Sequence, residues 1–183
     1  MEPSDVQMLT ADAAHADELA RVEVESKLAS IPQLVEPSAV DVDARRERWR
    51  TYLRGESPST SRPERTVLMA VAHGRVVGYL AGHLTTRFGL DAEIQSFYVL
   101  RECQRRGIGT ALLARFARWL AANGARTLCV GIAPENPYQA FYLKHGGEHL
   151  NPHWIVWKEL SGVPVERARE DDGWSAEPDH PDG

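Results

Sequence analysis

The residues of this chain best suited to chemistry are two glycines and two arginines, spaced as Gln104-Arg105-Arg106-Gly107-Ile108-Gly109. Before them lies a short run rich in aromatic and β-branched residues, 94–100. After them Ile108, Leu112, Leu113, Phe116, Ala117 and Leu120 recur at three- and four-residue steps. The first run reads as a strand and the second as an amphipathic helix, ended by Asn123-Gly124 with Gly124 in a left-handed position. At the mouth of such a helix the first-turn N–H groups lack internal partners and carry the positive end of the helix dipole, and glycines let a ligand approach the backbone. Arg105 and Arg106 add full charges. The stretch is expected to cradle an anion, a phosphate or pyrophosphate.

Two common phosphate sites are excluded by the residues themselves. A Rossmann fingerprint needs a third glycine where this chain has Leu112, and a P-loop needs a lysine that Gly109-Thr110-Ala111 lacks. The pattern resembles motif A of the GNAT superfamily of N-acetyltransferases, Gln/Arg-x-x-Gly-x-Gly/Ala directly after a strand, matched here by Gln104, Gly107 and Gly109. The resemblance runs in register over roughly residues 5–160. It includes a second landmark, Asn-x-x-Ala-x-x-Tyr-x-x-x-Gly-Phe, met by Asn136, Tyr142 and Gly146. There are two departures: Ala140 precedes Tyr142 by two residues rather than three, and Gly147 stands where the family has Phe. The missing aromatic is expected to loosen the turn into the last strands.

The resemblance implies an α/β fold with α+β layering: a mixed central sheet of about seven strands with a splayed parallel pair, flanked by about four helices. It implies acetyl-CoA (coenzyme A) in the gap between the splayed strands, with no metal. The cofactor contacts carried over are Phe97, Tyr98, Val99, Gln104, Arg105, Arg106, Gly107, Ile108, Gly109, Thr110 and Asn136. Phe97 and Val99 would pair through their backbones with the pantetheine arm, the Phe97 amide lying near the thioester oxygen. Acetyl transfer needs a neutral amine, yet a lysine-type amine has a pKa of about 10.4 and arrives protonated. By the resemblance, Glu93 aligns with the catalytic glutamate base of the family's histone-acetylating branch, its alternative being a solvated strand carboxylate. Tyr142 aligns with the acid that protonates the leaving thiolate, its alternative being a core aromatic. The implied activity is an acyltransferase, an N-acetyltransferase moving acetyl to a primary amine of a small molecule or peptide by direct transfer in a ternary complex. The runner-up is a catalytically silent CoA-binding regulatory module, and a homodimer is possible.

These residues need a scaffold to position them. With 183 residues and 43% hydrophobic content the chain has material for one domain, expected over 1–161. Residues 162–183 hold seven acids and two arginines, which accounts for the whole net charge of −5. This tail is expected to be disordered or loosely docked, with Trp174 arguing for some docking. The neutral body excludes nucleic acid as a partner. No apolar run nears the roughly 20 residues of a membrane span, and no signal sequence is recognisable, so a cytoplasmic location is expected. Cys103 and Cys129 have no metal-ligand spacing. Cys103, beside the cradle, is expected to be open to thiol reagents.

In chain order, residues 6–10 read as a strand. A helix over 13–28 follows, capped by Thr10 or Asp12, with Leu19, Val22 and Leu28 facing inward. A second helix starts at Asp41 or Asp43 and carries Trp49, Tyr52 and Leu53. Glu36, Trp49 and Tyr52 either line an acceptor pocket or, for the two aromatics, belong to the core. Residues 55–65, rich in Ser and Pro, read as a mobile loop. Strands over 67–72 and 76–84 flank a His73-Gly74-Arg75 turn, with Tyr79 and His83 on one face. His83 is either a base near the acceptor or a packed residue. A strand over 127–132 runs parallel to the cofactor strand by a βαβ crossover. Asn136 caps a helix with Pro137 first and Gly146 at its end, and a hairpin over 148–150 and 154–159 closes the sheet.

Overall fold

The structure, a computed structural model, describes residues 6–56 and 58–163; the acidic tail and Trp174 lie outside them. The strands are β1 (Val6–Thr10), β2 (Ser61–Ala72), β3 (Arg75–Thr85), β4 (Ala92–Val99), β5 (Leu128–Gly131), β6 (Glu148–Asn151) and β7 (Trp154–Trp157). They form one sheet in the order β1-β2-β3-β4-β5-β7-β6, with β4 and β5 parallel and every other neighbouring pair antiparallel. The helices are α1 (Ala16–Ser30), α2 (Val42–Leu53), α3 (Ile108–Ala122) and α4 (Gln139–Lys144). This is the mixed α/β architecture expected from the sequence. Among the described residues no helix is long and apolar enough to cross a membrane.

The two faces of β3 bury different partners. Tyr79 and His83 point toward α1 and α2, where the Trp49 ring meets Tyr79 edge-on at 5.0 Å and the Tyr52 hydroxyl lies 3.2 Å from His83 Nδ1. Strand alternation turns Leu80, Gly82 and Leu84 to the opposite face, toward α3. A Cβ at Gly82 would lie 2.3 Å from Phe116 Cζ and 2.9 Å from the Glu93 carbonyl, so only glycine lets the Phe116 ring rest on the sheet. With Ile108, Leu112, Leu113 and Leu120 also buried, α3 is held by side chains worth about 1.5–3 kcal/mol each.

Register along β4 decides which residues share a face. Ala81 pairs with Ser96 but the next residue, Gly82, pairs with Ile94, leaving Gln95 as a bulge. Glu93 sits opposite His83 on the α1–α2 face. Past the bulge the alternation restarts, so Ser96 and Tyr98 lie on that face and Phe97 points toward α3. Asp91 ties β4 to β5 just before both begin: its Oδ2 accepts from the Arg126 and Thr127 N–H groups and from Thr127 Oγ1. The Arg126 N–H bond is the first cause holding the Asp91 carboxyl below its ordinary value of 3.8. A depressed folded pKa gives stability that is present above the ordinary value and lost as pH falls through the lowered one. Asp91→Asn should therefore cost about 1 kcal/mol at neutral pH and flatten the acid limb of stability, read by thermal melts over roughly pH 2–7.

Some expectations are corrected and some open alternatives are resolved. Leu28 is 51% exposed, because nine residues on from Leu19 is half a turn around the helix axis at about 100° per residue. The first helix opens with a 3-10 turn, Ala13–His15, capped by Asp12. Asp41 caps α2, and Trp49 and Tyr52 join the core. The Ser- and Pro-rich segment is no long loop: β2 already starts at Ser61, and Arg65 donates back to the carbonyls of Tyr52, Gly55 and Glu56 while stacking at 4.9 Å on the Tyr52 ring. The turn at Gly147 is tight rather than loose. Trp157, fully buried, donates from Nε1 to the His145 carbonyl at 2.8 Å and packs against the place where a residue-147 side chain would go.

Candidate active site

β4 and β5 pair over three rungs, Ala92 with Leu128, Glu93 with Cys129 and Ile94 with Val130. β4 then runs on to Val99, whereas β5 ends at Gly131, paired with Trp154 of β7. A wedge opens beyond Ile94. The Leu100 N–H bonds the Val77 carbonyl at 2.9 Å, and antiparallel alternation then turns the backbone groups of Tyr98 and Ser96 to β3 and those of Phe97 and Val99 into the wedge. Tyr98, carried over as a cofactor contact, thus has its backbone on β3 and its ring against Tyr79 at 5.8 Å.

At the wide end of the wedge the chain bends through two left-handed residues, Arg105 (φ 61°) and Gly107 (φ 82°), before α3. The Ala111 N–H to Gly107 carbonyl bond closes the first turn, so the amides of Ile108, Gly109 and Thr110 stand at the mouth where a helix supplies no partner. The two glycines differ in their surroundings, and only Gly107 is required by its backbone. Nothing lies within 4 Å of a Cβ at Gly107, where the positive φ is what demands glycine; at Gly109 a Cβ would touch the Phe141 ring at 3.4 Å. Arg105 and Arg106 are exposed beside the mouth, the Ile108 side chain is buried, and Thr110 Oγ1 lies 3.2 Å from His145 Nε2.

Gln104 and Asn136 are placed as braces. Gln104 Nε2 donates to the Val99 carbonyl at 3.0 Å and to Ser30 Oγ at 3.3 Å, and its Oε1 accepts from the Tyr138 hydroxyl. Asn136 does not cap α4: its Oδ1 accepts from the Tyr138 N–H, closing a local turn, and the helix begins only at Gln139.

The wedge has a different side chain on each face. Toward α3 and α4, Phe97 meets Phe141 at 5.5 Å and Tyr142 at 6.3 Å, and Tyr142 packs on Trp157 at 6.0 Å. Burial alone raises the Tyr142 hydroxyl well above its ordinary 10.0, so it is protonated at neutral pH. Toward α1 and α2, Glu93 is 6% exposed, with Oε2 2.7 Å from Arg87 Nε and 3.9 Å from His83 Nε2. Arg87 also donates to Thr60 Oγ1 and lies 4.9 Å over the Trp154 ring, which Phe88 meets edge-on at 5.0 Å. His83 is fully enclosed, and its Nε2 has no hydrogen-bond partner. Desolvation, aided by Arg65 and Arg87, lowers its pKa to about 4, so the ring is neutral at pH 7.

Sequence reasoning missed Arg87, which lies between the strands it recognised, and Trp154, which it placed only in the closing hairpin. No spacing flags them, because they meet Glu93 only through the sheet register. Neither cysteine is a nucleophile: both are buried, desolvation raises both thiols, and Cys129 reaches about 12. This corrects the expectation that Cys103 is open to thiol reagents.

A model of the acetyltransferase (GNAT) family matches residues 28–147. The chain is similar to the uncharacterized N-acetyltransferase YuaI of Bacillus subtilis, 37% identical over 62 residues that make up 34% of this chain and 36% of YuaI. The match thus spans about a third of that relative's length. Among solved structures, an acetyltransferase from Thermus thermophilus has a TM-score of 0.67 and 23% identity, covering 85% of this chain and 98% of that one. The PaiA N-acetyltransferase from Thermoplasma acidophilum, in complex with coenzyme A, has a TM-score of 0.65 and 14% identity, covering 82% of this chain and 96% of that one. At these identities the likeness is one of fold.

Proposed function

Because the chain belongs to the acetyltransferase (GNAT) family, we propose that it moves an acetyl group from acetyl-CoA to a primary amine of a small molecule or peptide, by direct transfer in a ternary complex. The observation that carries this reading is the wedge beyond Ile94, with the backbone edge of Phe97 and Val99 along one side and the amides of Ile108, Gly109 and Thr110 at its wide end. These groups fit acetyl-CoA: the amides with Arg105 and Arg106 suit its diphosphate, and the open strand edge suits its pantetheine amides. When bound, it supplies the activated acetyl thioester.

The chain's own residues do the rest. Glu93 accepts the proton of the incoming ammonium. Four strand positions, about 13 Å if extended, separate it from Phe97, so ordered water relays that proton. Arg87 fixes the orientation of the carboxylate, and the enclosed neutral His83 adds no charge of its own. The Phe97 N–H is the donor for the oxygen on which negative charge develops. Tyr142, protonated and dry, gives its proton to the leaving thiolate. Direct transfer is supported by the two buried thiols, neither of which can hold the acetyl group as an intermediate. Tyr142→Phe should lower kcat roughly tenfold or more while leaving the acetyl-CoA Kd within about twofold. Unchanged turnover would remove Tyr142 from the mechanism.

A second reading, a silent CoA-binding module, draws on one observation: Glu93 is enclosed and already engaged by Arg87. CoA-thiol release across an amine panel separates the two. Silence across the panel despite acetyl-CoA binding selects the module.

A further inference from the structure

The arginines around α2 are not alike. Arg46, Arg50 and Arg54 each lie within reach of two carboxylates: Asp17 and Asp43, Asp17 and Glu47, and Glu47 and Glu56 respectively. Arg45 and Arg48 share a single carboxylate, Glu23, which is buried and already bonded to Lys27 Nζ at 2.6 Å and Trp49 Nε1 at 3.0 Å. Their guanidinium groups stand off it at 3.5 and 3.8 Å, and Arg45 Nε, like Arg46 Nε, is buried without a hydrogen-bond partner. Three cations therefore face one carboxylate, a surplus of two positive charges among the described residues. The Lys27 and Arg45 side chains are only 13% and 19% exposed, while Arg48, at 46%, opens the cluster to solvent. Holding Lys27 and Arg45 largely out of water with one carboxylate shared among three cations is costly, and a clasp joining α1 to α2 would need only one of them.

The cluster borders the wedge. Lys27 Nζ lies 5.7 Å over the ring of Tyr98, the residue of β4 between Phe97 and Val99. The Tyr98 hydroxyl is within electrostatic reach of Glu23 first, then of Tyr142 and of Arg48 and Arg45, so the whole cluster faces it. We propose that Arg45 and Arg48, with Lys27 behind them, form an oxyanion subsite beside β4, and that the acceptor is an amine also carrying a carboxylate or phosphate. The planar forks of two guanidinium groups one helical turn apart suit such a group. This rests on the acetyltransferase reading and names its acceptor class.

The test is CoA release from matched amines with and without an acid group: propylamine against β-alanine and 2-aminoethyl phosphate, and tyramine against tyrosine. The acidic member should have at least about tenfold higher kcat/KM, the carboxylate and phosphate arms showing which oxyanion is preferred. Arg48→Gln should erase the difference, the loss falling on KM rather than kcat, and Arg48→Lys should restore part of it. Thermal melts with CoA present should show the acidic amine stabilising the wild type more than Arg48→Gln. Equal or better use of the neutral members, or a preference that survives Arg48→Gln, overturns the subsite and leaves the acetyltransferase reading standing. No release from any amine overturns both.

Discussion

Glu93→Gln should lower kcat by roughly 10²–10³-fold at neutral pH, with acetyl-CoA affinity unchanged. The substitution keeps the shape of the side chain and an oxygen that can accept from Arg87, and it removes only the charge that takes up a proton. The loss should shrink as pH rises toward the acceptor's own pKa, about 10.4 for a lysine-type amine, because more of the acceptor then arrives neutral. That recovery separates a base from a structural carboxylate, whose loss would be felt at every pH. Arg87 keeps its Thr60 bond and its stacking on Trp154, so the melting temperature should fall only slightly and the lost turnover cannot be put down to unfolding. A kcat deficit independent of pH, or no deficit, would dismiss Glu93 as the base.

Gly147→Phe, which restores the aromatic usual in the resembled family, should destabilise the protein by about 3 kcal/mol or more. A Cβ at this position would lie 2.7 Å from Ile155 Cγ2, 3.0 Å from Trp157 Cζ2 and 3.0 Å from the Tyr142 carbonyl, so even the first atom of the new side chain has no room. The space is taken by Ile155 and by Trp157, whose indole is anchored to the His145 carbonyl. Glycine at 147 and tryptophan at 157 are thus two halves of one packing solution. The double variant Gly147→Phe with Trp157→Leu should recover part of the loss, a positive coupling measurable by urea denaturation. A single variant as stable as the wild type would show that the turn yields and that Trp157 does not fill it.

The β4-α3-β5 unit was legible in the sequence because the change from aromatic and β-branched residues to a three- and four-residue apolar period coincides with Gly107, a residue needed for its positive φ. Strand β1 was legible too, and the start of α2 was narrowed to Asp41 or Asp43, of which Asp41 is the cap, since each rests on short-range patterning. Interactions across the chain were not legible. Arg65 pins a segment whose Ser and Pro content reads as loose, by reaching carbonyls up to thirteen residues away. The partners of Glu93 come from three places, the hairpin opposite, the Arg87 turn and, through Arg87, Trp154. The Gln95 bulge, which decides that Glu93 and Phe97 face opposite sides, has no composition signal because a bulge is a property of two strands together. The charge surplus around Glu23 was hidden for the same reason: a run of arginines on a helix says nothing about which carboxylates the neighbouring helix brings.

The central claim is that acetyl-CoA occupies the wedge between β4 and β5, and a crystal structure of the protein grown with acetyl-CoA tests it most directly. The expected result is diphosphate oxygens within about 2.7–3.2 Å of the amides of Ile108, Gly109 and Thr110, with the pantetheine amides paired to the backbone of Phe97 and Val99. Acetyl-CoA bound elsewhere, or crystals and calorimetry that agree on no uptake, would contradict it.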